Sequence, residues 1–440
     1  MNLAKDVELI ASPPKSGRVD VLVPRCLIGN GQDLLGTSID QEGLSSVQVE
    51  WRDGTITSIG GLQETSKVPK EMLLPRFAEP HAHIDKAFSW SRSPNLRGSY
   101  QEALAANLRE YELRSEEELI FRVEKCLNLA LVNGIRAIRS HIDSFGKTAM
   151  RDWDLIESIR TKWQEKFFLQ FVALVPLDFW QSDEGELLAQ RVASNGDLLG
   201  GVIAPPFNKR KTFKSLLHLV QLANRLKCDI DLHIDESQFC PAGGLKLLLE
   251  VLGQVKNEIS ITCSHLSSMG LLREKEISFL ANKMAKNRLK VVALPLTNSW
   301  LLGRKDRSTL TKRPLAPIFQ LQKAGVDVSV GGDNINDSWF PLSNFDPINL
   351  MSFSMPIAHL SPWDRLGLSP FTWSPADLLS LKWDGLFQNG SPADFILLDS
   401  NSWVKALSER PKRRVVVNGE FLKELPKNKK QHSQIISHDK

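Results

Sequence analysis

Apolar residues recur along this chain with two different periods, and the change of period divides it. From residue 18 to 60 they alternate with polar ones, as on strands with one buried face. "RVDVLVPRCLI" is a short β-branched run, and "SVQVEWRDGTITSIG" reads as two strands around an Asp53-Gly54 turn. The same style returns near the end in "PADFILLDS" and in "RRVVVNGEFL", which turns at Asn418-Gly419. Two β segments at opposite ends predict one small sheet structure built by both. The expected organisation is a β-sandwich from 1–70 and 386–425, an inserted domain over 71–385, and a flexible tail over 426–440.

Between these ends the period changes to that of helices separated by short apolar strands. Ser115 with Glu118 makes a capping-box pattern, after which Leu119, Val123, Leu127 and Leu131 recur at helical spacing as far as Asn133-Gly134. "IRAIRSHID" then follows as a strand. The exchange repeats: "KSLLHLVQLANRLK" leads into "CDIDLHIDE", "EKEISFLANKMAKN" into "LKVVALP", and "IFQLQKAG" into "VDVSVGGD". Strands beginning near 72, 135, 167, 198, 229, 259, 290 and 326 give eight βα units. Eight units favour a closed (β/α)8 TIM-type barrel over an open doubly wound sheet, so the predicted class is α/β, with the barrel inserted in the small β-sandwich. No glycine-rich phosphate loop follows any of these strands.

Composition removes several function classes. A chain that is 42% hydrophobic and 24% charged has the balance of a soluble globular protein, and no apolar run approaches the roughly 18 residues that span a bilayer. Its first residues carry acidic charge and prolines where a secretion signal would need an apolar core. The net charge of +4 resides in short clusters and the tail, without the basic and aromatic surface of a nucleic-acid protein. The five cysteines (Cys26, Cys126, Cys228, Cys240, Cys263) form no CxxC pair, so neither a disulfide framework nor a zinc knuckle is expected. These readings predict a cytoplasmic protein whose partner is a small molecule, with no nucleic acid and no membrane; a homo-oligomer is compatible with them.

In such a barrel, function belongs at the C-terminal ends of the strands. Five of the nine histidines end predicted strands: His81 and His83 the first, His141 the second, His233 the fifth and His265 the sixth. Asp333 ends the eighth, in "GGD". His218, His359, His432 and His438 read as structural or solvated. Histidines at i and i+2 on a strand share one face. Burying them with His233, His265 and Asp333 would be costly without partners, and a shared metal ion satisfies them together.

"PRFAEPHAHIDKAF", "LHIDE", "CSH", "GGDN" with "DSWFPL", and the closing "GSPADFILLDS" resemble the amidohydrolase superfamily over nearly the whole chain. Within it the chain is most similar to the cytosine deaminase branch. That resemblance implies one divalent metal ion, zinc or iron, held by His81, His83, His233 and Asp333. It also implies that His265, alongside Asp333, orients or deprotonates the metal's water, and that Glu236 shuttles a proton to the ring nitrogen and leaving amine. Elementary chemistry agrees, because a divalent metal lowers the pKa of bound water to about 7 and attack on a C=N carbon requires protonation of that nitrogen. The plainer reading of Glu236 is a charge at a helix N-terminus. Strand four, "LLGGVIAPPF", lacks the terminal lysine that bridges two metals in some members. His141, Lys86 and the basic tail receive no role.

Two departures bear on the substrate. Cytosine deaminases carry a glutamine just past strand three, where "FVALVPLDFW" here puts Leu177, with Gln170 earlier in the same strand. Asn334 stands where the branch tends to have a second acid, while Asn298 in "PLTNSWLLGR" and Trp339 still resemble pocket residues. The expected function is metal-dependent hydrolytic deamination of a cytosine-like cyclic amidine, water attacking the C=N carbon with release of ammonia. The alternatives are hydrolysis of an aminotriazine, a modified pyrimidine or a cyclic amide, or an inactive binding protein of the same fold.

Overall fold

The computed structural model describes residues 15–29, 37–62, 68–305, 307–309 and 311–423; the predicted tail, with His432 and His438, lies outside them. The described chain opens with β1 (Gly17–Pro24), β2 (Leu44–Arg52), β3 (Thr55–Gly61) and β4 (Met72–Pro75). Eight strands alternating with helices follow: β5 (Phe77–Ala82), β6 (Ile135–Asp143), β7 (Phe168–Leu174), β8 (Leu198–Ile203), β9 (Ile230–Ile234), β10 (Ile261–His265), β11 (Lys290–Ala293) and β12 (Val328–Val330). It closes with β13 (Phe395–Leu398), β14 (Arg413–Val417) and β15 (Glu420–Phe421).

β5 to β12 are parallel neighbours in sequence order. The first and last meet through a parallel bridge between Ala82 and Asp333, where Asp333 N–H donates to the His81 carbonyl at 2.9 Å. The sheet is thus a nearly closed barrel, the predicted α/β fold. The chain ends build a separate sheet in the order β15-β14-β13-β4-β1-β2-β3. Its two predicted turns are found: Asp53 and Gly54 have φ of 50° and 76°, Asn418 and Gly419 of 49° and 84°. Positive φ at both central residues matches the twist of the flanking strands. The turns abut, because a Cβ on Gly419 would come within 2.9 Å of the Gly54 backbone, and Trp51 Nε1 donates to the Gly419 carbonyl at 3.0 Å.

One expectation is corrected. The run "EMLLPRFAEPHA" reads as a single strand from about 72, but it is two strands in two sheets. β4 pairs with β1 and β13, and the barrel begins at Phe77. Pro75 has no N–H to continue a ladder. Arg76 then turns inward, buried, with Nη1 2.8 Å from Asp394 Oδ1. The other seven strands begin within two residues of their predicted starts.

The Ser115 capping box is formed, opening the helix Glu116–Val132, whose Leu119, Val123, Leu127 and Leu131 are buried. Ser115→Ala should therefore destabilise the protein by about 1 kcal/mol, read as a lower urea midpoint at unchanged slope. An unchanged midpoint would assign that helix's stability to its apolar face alone.

Candidate active site

The barrel delivers the predicted residues to one place. His81 lies on β5 with His83 just past it, His233 lies on β9, His265 ends β10, and Asp333 follows β12. His83 Nε2 lies 3.2 Å from His233 Nε2 and 3.3 Å from Asp333 Oδ1, and His81 Nε2 lies 3.6 Å from the same oxygen. His81, His83 and Asp333 offer ligand atoms within 4.8 Å of one another, as do His81, His233 and His265. His81 is oriented from behind: its Nδ1 lies 3.0 Å from Ser264 Oγ, which donates to Asp231 Oδ1 at 2.7 Å. A ring held at one nitrogen presents the other to the cluster.

Burial lowers the pKa of all four histidines well below the usual range, and in each case neighbouring imidazoles or the Lys86 charge push the same way. They are neutral bases. Among the described residues His81 Nε2, His265 Nε2 and both Asp333 carboxylate oxygens have no hydrogen-bond partner. Buried acceptors are rarely left so. Imidazole nitrogens with a carboxylate oxygen are a donor set for zinc or iron, and the cluster fits such an ion.

The backbone is strained where these side chains are aimed: φ is 72° at His265 and 64° at Asp333, left-handed values uncommon for residues with a Cβ. Glu79, which the sequence reading did not single out, clamps the seam. Its Oε1 accepts from His81 N–H at 3.1 Å and Gly332 N–H at 3.0 Å. A Cβ on Gly331 would approach that oxygen to 2.9 Å, so the bare glycine makes room for it. Burial raises the Glu79 carboxyl to about 8.

Glu236 is not the helix cap of the plainer reading. Asp235 takes that role, accepting from Gly244 and Leu245 N–H at 2.8 and 2.9 Å. Glu236 is buried, lines the cavity, and has Oε1 3.6 Å from His265 Nδ1. Burial, with the Asp333 charge, raises its pKa well above the usual carboxylate range. A carboxyl kept protonated can act as an acid near neutral pH.

A cavity of about 460 Å³ opens from the cluster, with His83, His233, Glu236, His265 and Asp333 among its lining. Leu108, Phe145, Leu174, Leu177 and Val202 give it apolar walls, and Tyr100 and Trp339 pack edge to face at 5.1 Å on it. Leu177 fits because Gly201 has no Cβ, which would come within 2.6 Å of its Cδ2. Asn334 and Trp339 also line the cavity, and Asp337 organises both, accepting from Asn334 Nδ2 and Trp339 N–H at 2.9 Å. Asn298 is not on the cavity; its amide lies 3.0 Å from His265 Nδ1. Gln170 is also away from it, accepting from Arg139 Nε at 2.9 Å. His141 packs tilted against His81, at 4.0 Å between ring centres and 31° between planes, and is not among the cavity's lining residues.

No family model matches the chain. It is 30% identical over 391 residues to pterin deaminase of Rhizobium rhizogenes (strain K84 / ATCC BAA-868), covering 87% of this chain and 88% of that protein. The chain belongs to the amidohydrolase superfamily, in its cytosine deaminase-like branch. This amidohydrolase is also 23% identical over 378 residues to N-isopropylammelide isopropyl amidohydrolase of Pseudomonas sp. (strain ADP), covering 82% of this chain and 89% of that one. Its fold is that of 5-methylcytosine deaminase from Klebsiella pneumoniae liganded with phosphonocytosine, with a TM-score of 0.77, 21% identity, and coverage of 93% and 98%. The chain is a metal-dependent hydrolase of carbon–nitrogen bonds, of the deaminase type. Among the described residues no helix is long and apolar enough to cross a membrane.

Proposed function

We propose that this amidohydrolase deaminates an aminopyrimidine-type cyclic amidine that carries a second ring or an apolar substituent. One zinc or iron ion is held by His81, His83, His233 and Asp333. The observation that carries the substrate reading is the cavity: at about 460 Å³, with apolar walls, it has more room than a single pyrimidine ring needs. The relative at 30% identity, named for a pterin, points the same way. We further propose that β1–β4 with β13–β15 form one structural unit and that the barrel from Phe77 is the catalytic one, in a cytoplasmic enzyme.

When bound, a divalent cation makes water acidic enough to attack at neutral pH. His265 and Asp333 take the proton of the attacking water. Glu236 gives its proton to the ring nitrogen as the C=N carbon gains its new C–O bond, then carries the remaining proton of the added hydroxyl to the amino group, and is reprotonated by the proton held on His265 and Asp333. The C–N bond breaks with its electron pair leaving on ammonia, and the ring carbon keeps the oxygen as a carbonyl. The apolar walls hold the ring and exclude bulk water.

The test is ammonia release by metal-loaded protein from 2-amino-4-oxopteridine, cytosine, 5-methylcytosine and an N-alkylated aminotriazine. Release from the fused ring should exceed that from cytosine; cytosine turned over near the diffusion limit, or no release from any of them, would refute the proposal. Leu177 presents no hydrogen bond where a cytosine reader has glutamine. Leu177→Gln should therefore raise efficiency on cytosine relative to the better substrate by about tenfold, the effect of one hydrogen bond. An unchanged preference would mean that another residue reads that edge.

A further inference from the structure

Of the charged side chains on the cavity that take no part in the chemistry above, two are buried. Lys86 lies three residues past His83, and Asp143 ends β6; both are 3% exposed and both line the cavity. Lys86 Nζ is 2.9 Å from each Asp143 carboxylate oxygen. Asn107, from the helix Tyr100–Leu113 and also on the cavity, donates to Asp143 Oδ2 at 3.0 Å.

Burying an ion pair is costly, and a pair kept for stability alone can often be replaced by apolar residues. A second charged network adjoins this one: Arg114 binds Asp85 at 3.2 Å and Glu110 at 2.6 Å, Arg122 also pairs with Glu110, and Asp85 Oδ2 accepts from Asp143 N–H at 3.1 Å. Two arginines there balance two carboxylates. Lys86 and Asp143 are thus each other's side-chain ion partners, and the backbone of Asp143 ties the pair to that network. Among the described residues Asp143 is the one hydrogen-bond acceptor of the Lys86 ammonium, which has three N–H donors. The Asp143 carboxylate, with about four acceptor positions, has capacity beyond Lys86 and Asn107.

We propose that Lys86 and Asp143 together read a lactam edge on the substrate ring, the ammonium donating to the ring carbonyl and the carboxylate accepting the adjacent ring N–H. This rests on the reading of the cavity as the site of a ring amidine. A donor and an acceptor side by side match the acceptor and donor that a cyclic amide presents on one edge. A glutamine offers the same pair from a single neutral side chain; with Leu177 in that position, the charged pair supplies it from the ends of the first two barrel strands. The apolar wall at Leu174, Leu177 and Val202 then takes the ring's other parts. The substrate class is a ring with a carbonyl beside an N–H, in preference to one alkylated at that nitrogen. Burial opposes both charges, but their mutual attraction outweighs it: Asp143 lies below its ordinary range and Lys86 above, so both stay ionised.

The test is equilibrium binding of pteridine-2,4-dione and its 3-methyl derivative to metal-loaded protein, followed by quenching of tryptophan fluorescence. The dione carries the lactam without needing turnover. Native protein should prefer the unmethylated ring by about 10- to 100-fold, as expected for hydrogen bonds to charged groups. Lys86→Met should remove most of that preference at unchanged metal content, moving the methylated ring's affinity by less than about threefold. Should Lys86→Met fail to fold, Lys86→Met with Asp143→Leu removes the pair as a unit and carries the same expectation. Equal loss for both rings, no loss, or native protein that does not bind the dione overturns the lactam reading. Ammonia release measured in parallel separates the two ideas. A discriminating but non-deaminating protein sinks the deaminase reading alone, whereas deamination with an unaltered preference in the variant sinks this one alone.

Discussion

Glu236→Gln should keep its fold and its metal while turnover falls by about 100-fold or more. Glutamine retains the shape of glutamate and a hydrogen-bonding end, but it has no acidic proton to give. General acid–base groups contribute about 100- to 10,000-fold, and Glu236 lines the cavity with its Oε1 3.6 Å from His265 Nδ1. Glu236 is outside all three clusters of atoms suited to a metal ion among the described residues, so the substitution leaves those donors intact. Steady-state kinetics on the best substrate, paired with elemental analysis, check both halves. Native turnover in the variant would remove Glu236 from proton transfer. Loss of metal together with activity would show instead that the carboxylate helps hold the ion.

His83→Ala should lose most of its metal. His83 Nε2 is the atom shared by the two shortest contacts of the cluster, to His233 and Asp333, so its removal opens the middle of the proposed ligand set. A chelate that gives up one of its ligands binds far more weakly, and alanine leaves nothing to take its place. Protein purified with zinc or iron supplied should hold close to one ion per chain in the native form and a small fraction of that in the variant. Full occupancy in the variant, or two ions per native chain, would contradict a single site built on His81, His83, His233 and Asp333.

How far such residues are legible in a sequence depends on how far their chemistry is tied to chain position. The histidines are legible because each ends a strand, and strand ends in a parallel barrel converge. Asp53-Gly54 and Asn418-Gly419 announce their turns because few residues tolerate positive φ at both centres. Other features depend on partners that no local pattern reveals. Pro75-Arg76 divides one apolar run between two sheets, and the cause becomes visible when Asp394 is placed beside Arg76. Lys86 and Asp143 are 57 residues apart, and Asn107 reaches Asp143 from a helix between them. Glu79 looks like a residue in an apolar strand until Gly332, 253 residues later, meets it across the seam between the first and last barrel strands. Asn298 does have pocket-like neighbours in sequence, yet it supports His265 instead of facing the cavity. Asp235 and Glu236 are adjacent acids, and only the course of the chain decides which one caps and which faces the site.

The single seam that joins β4 to β13 sets an order on how a newly made chain can be completed. Met72, Leu73 and Leu74 are wholly buried, and their strand partners are Leu398, Leu397 and Ile396. Arg76 waits across 318 residues for Asp394. At ordinary rates of synthesis that interval is on the order of tens of seconds. During it every barrel strand emerges from the ribosome while one side of β4 has no neighbour, an apolar edge open to strands of other chains. The last strands to be made are therefore a cover as well as a sheet, and the nascent protein is most exposed to aggregation just before its C-terminal segment arrives.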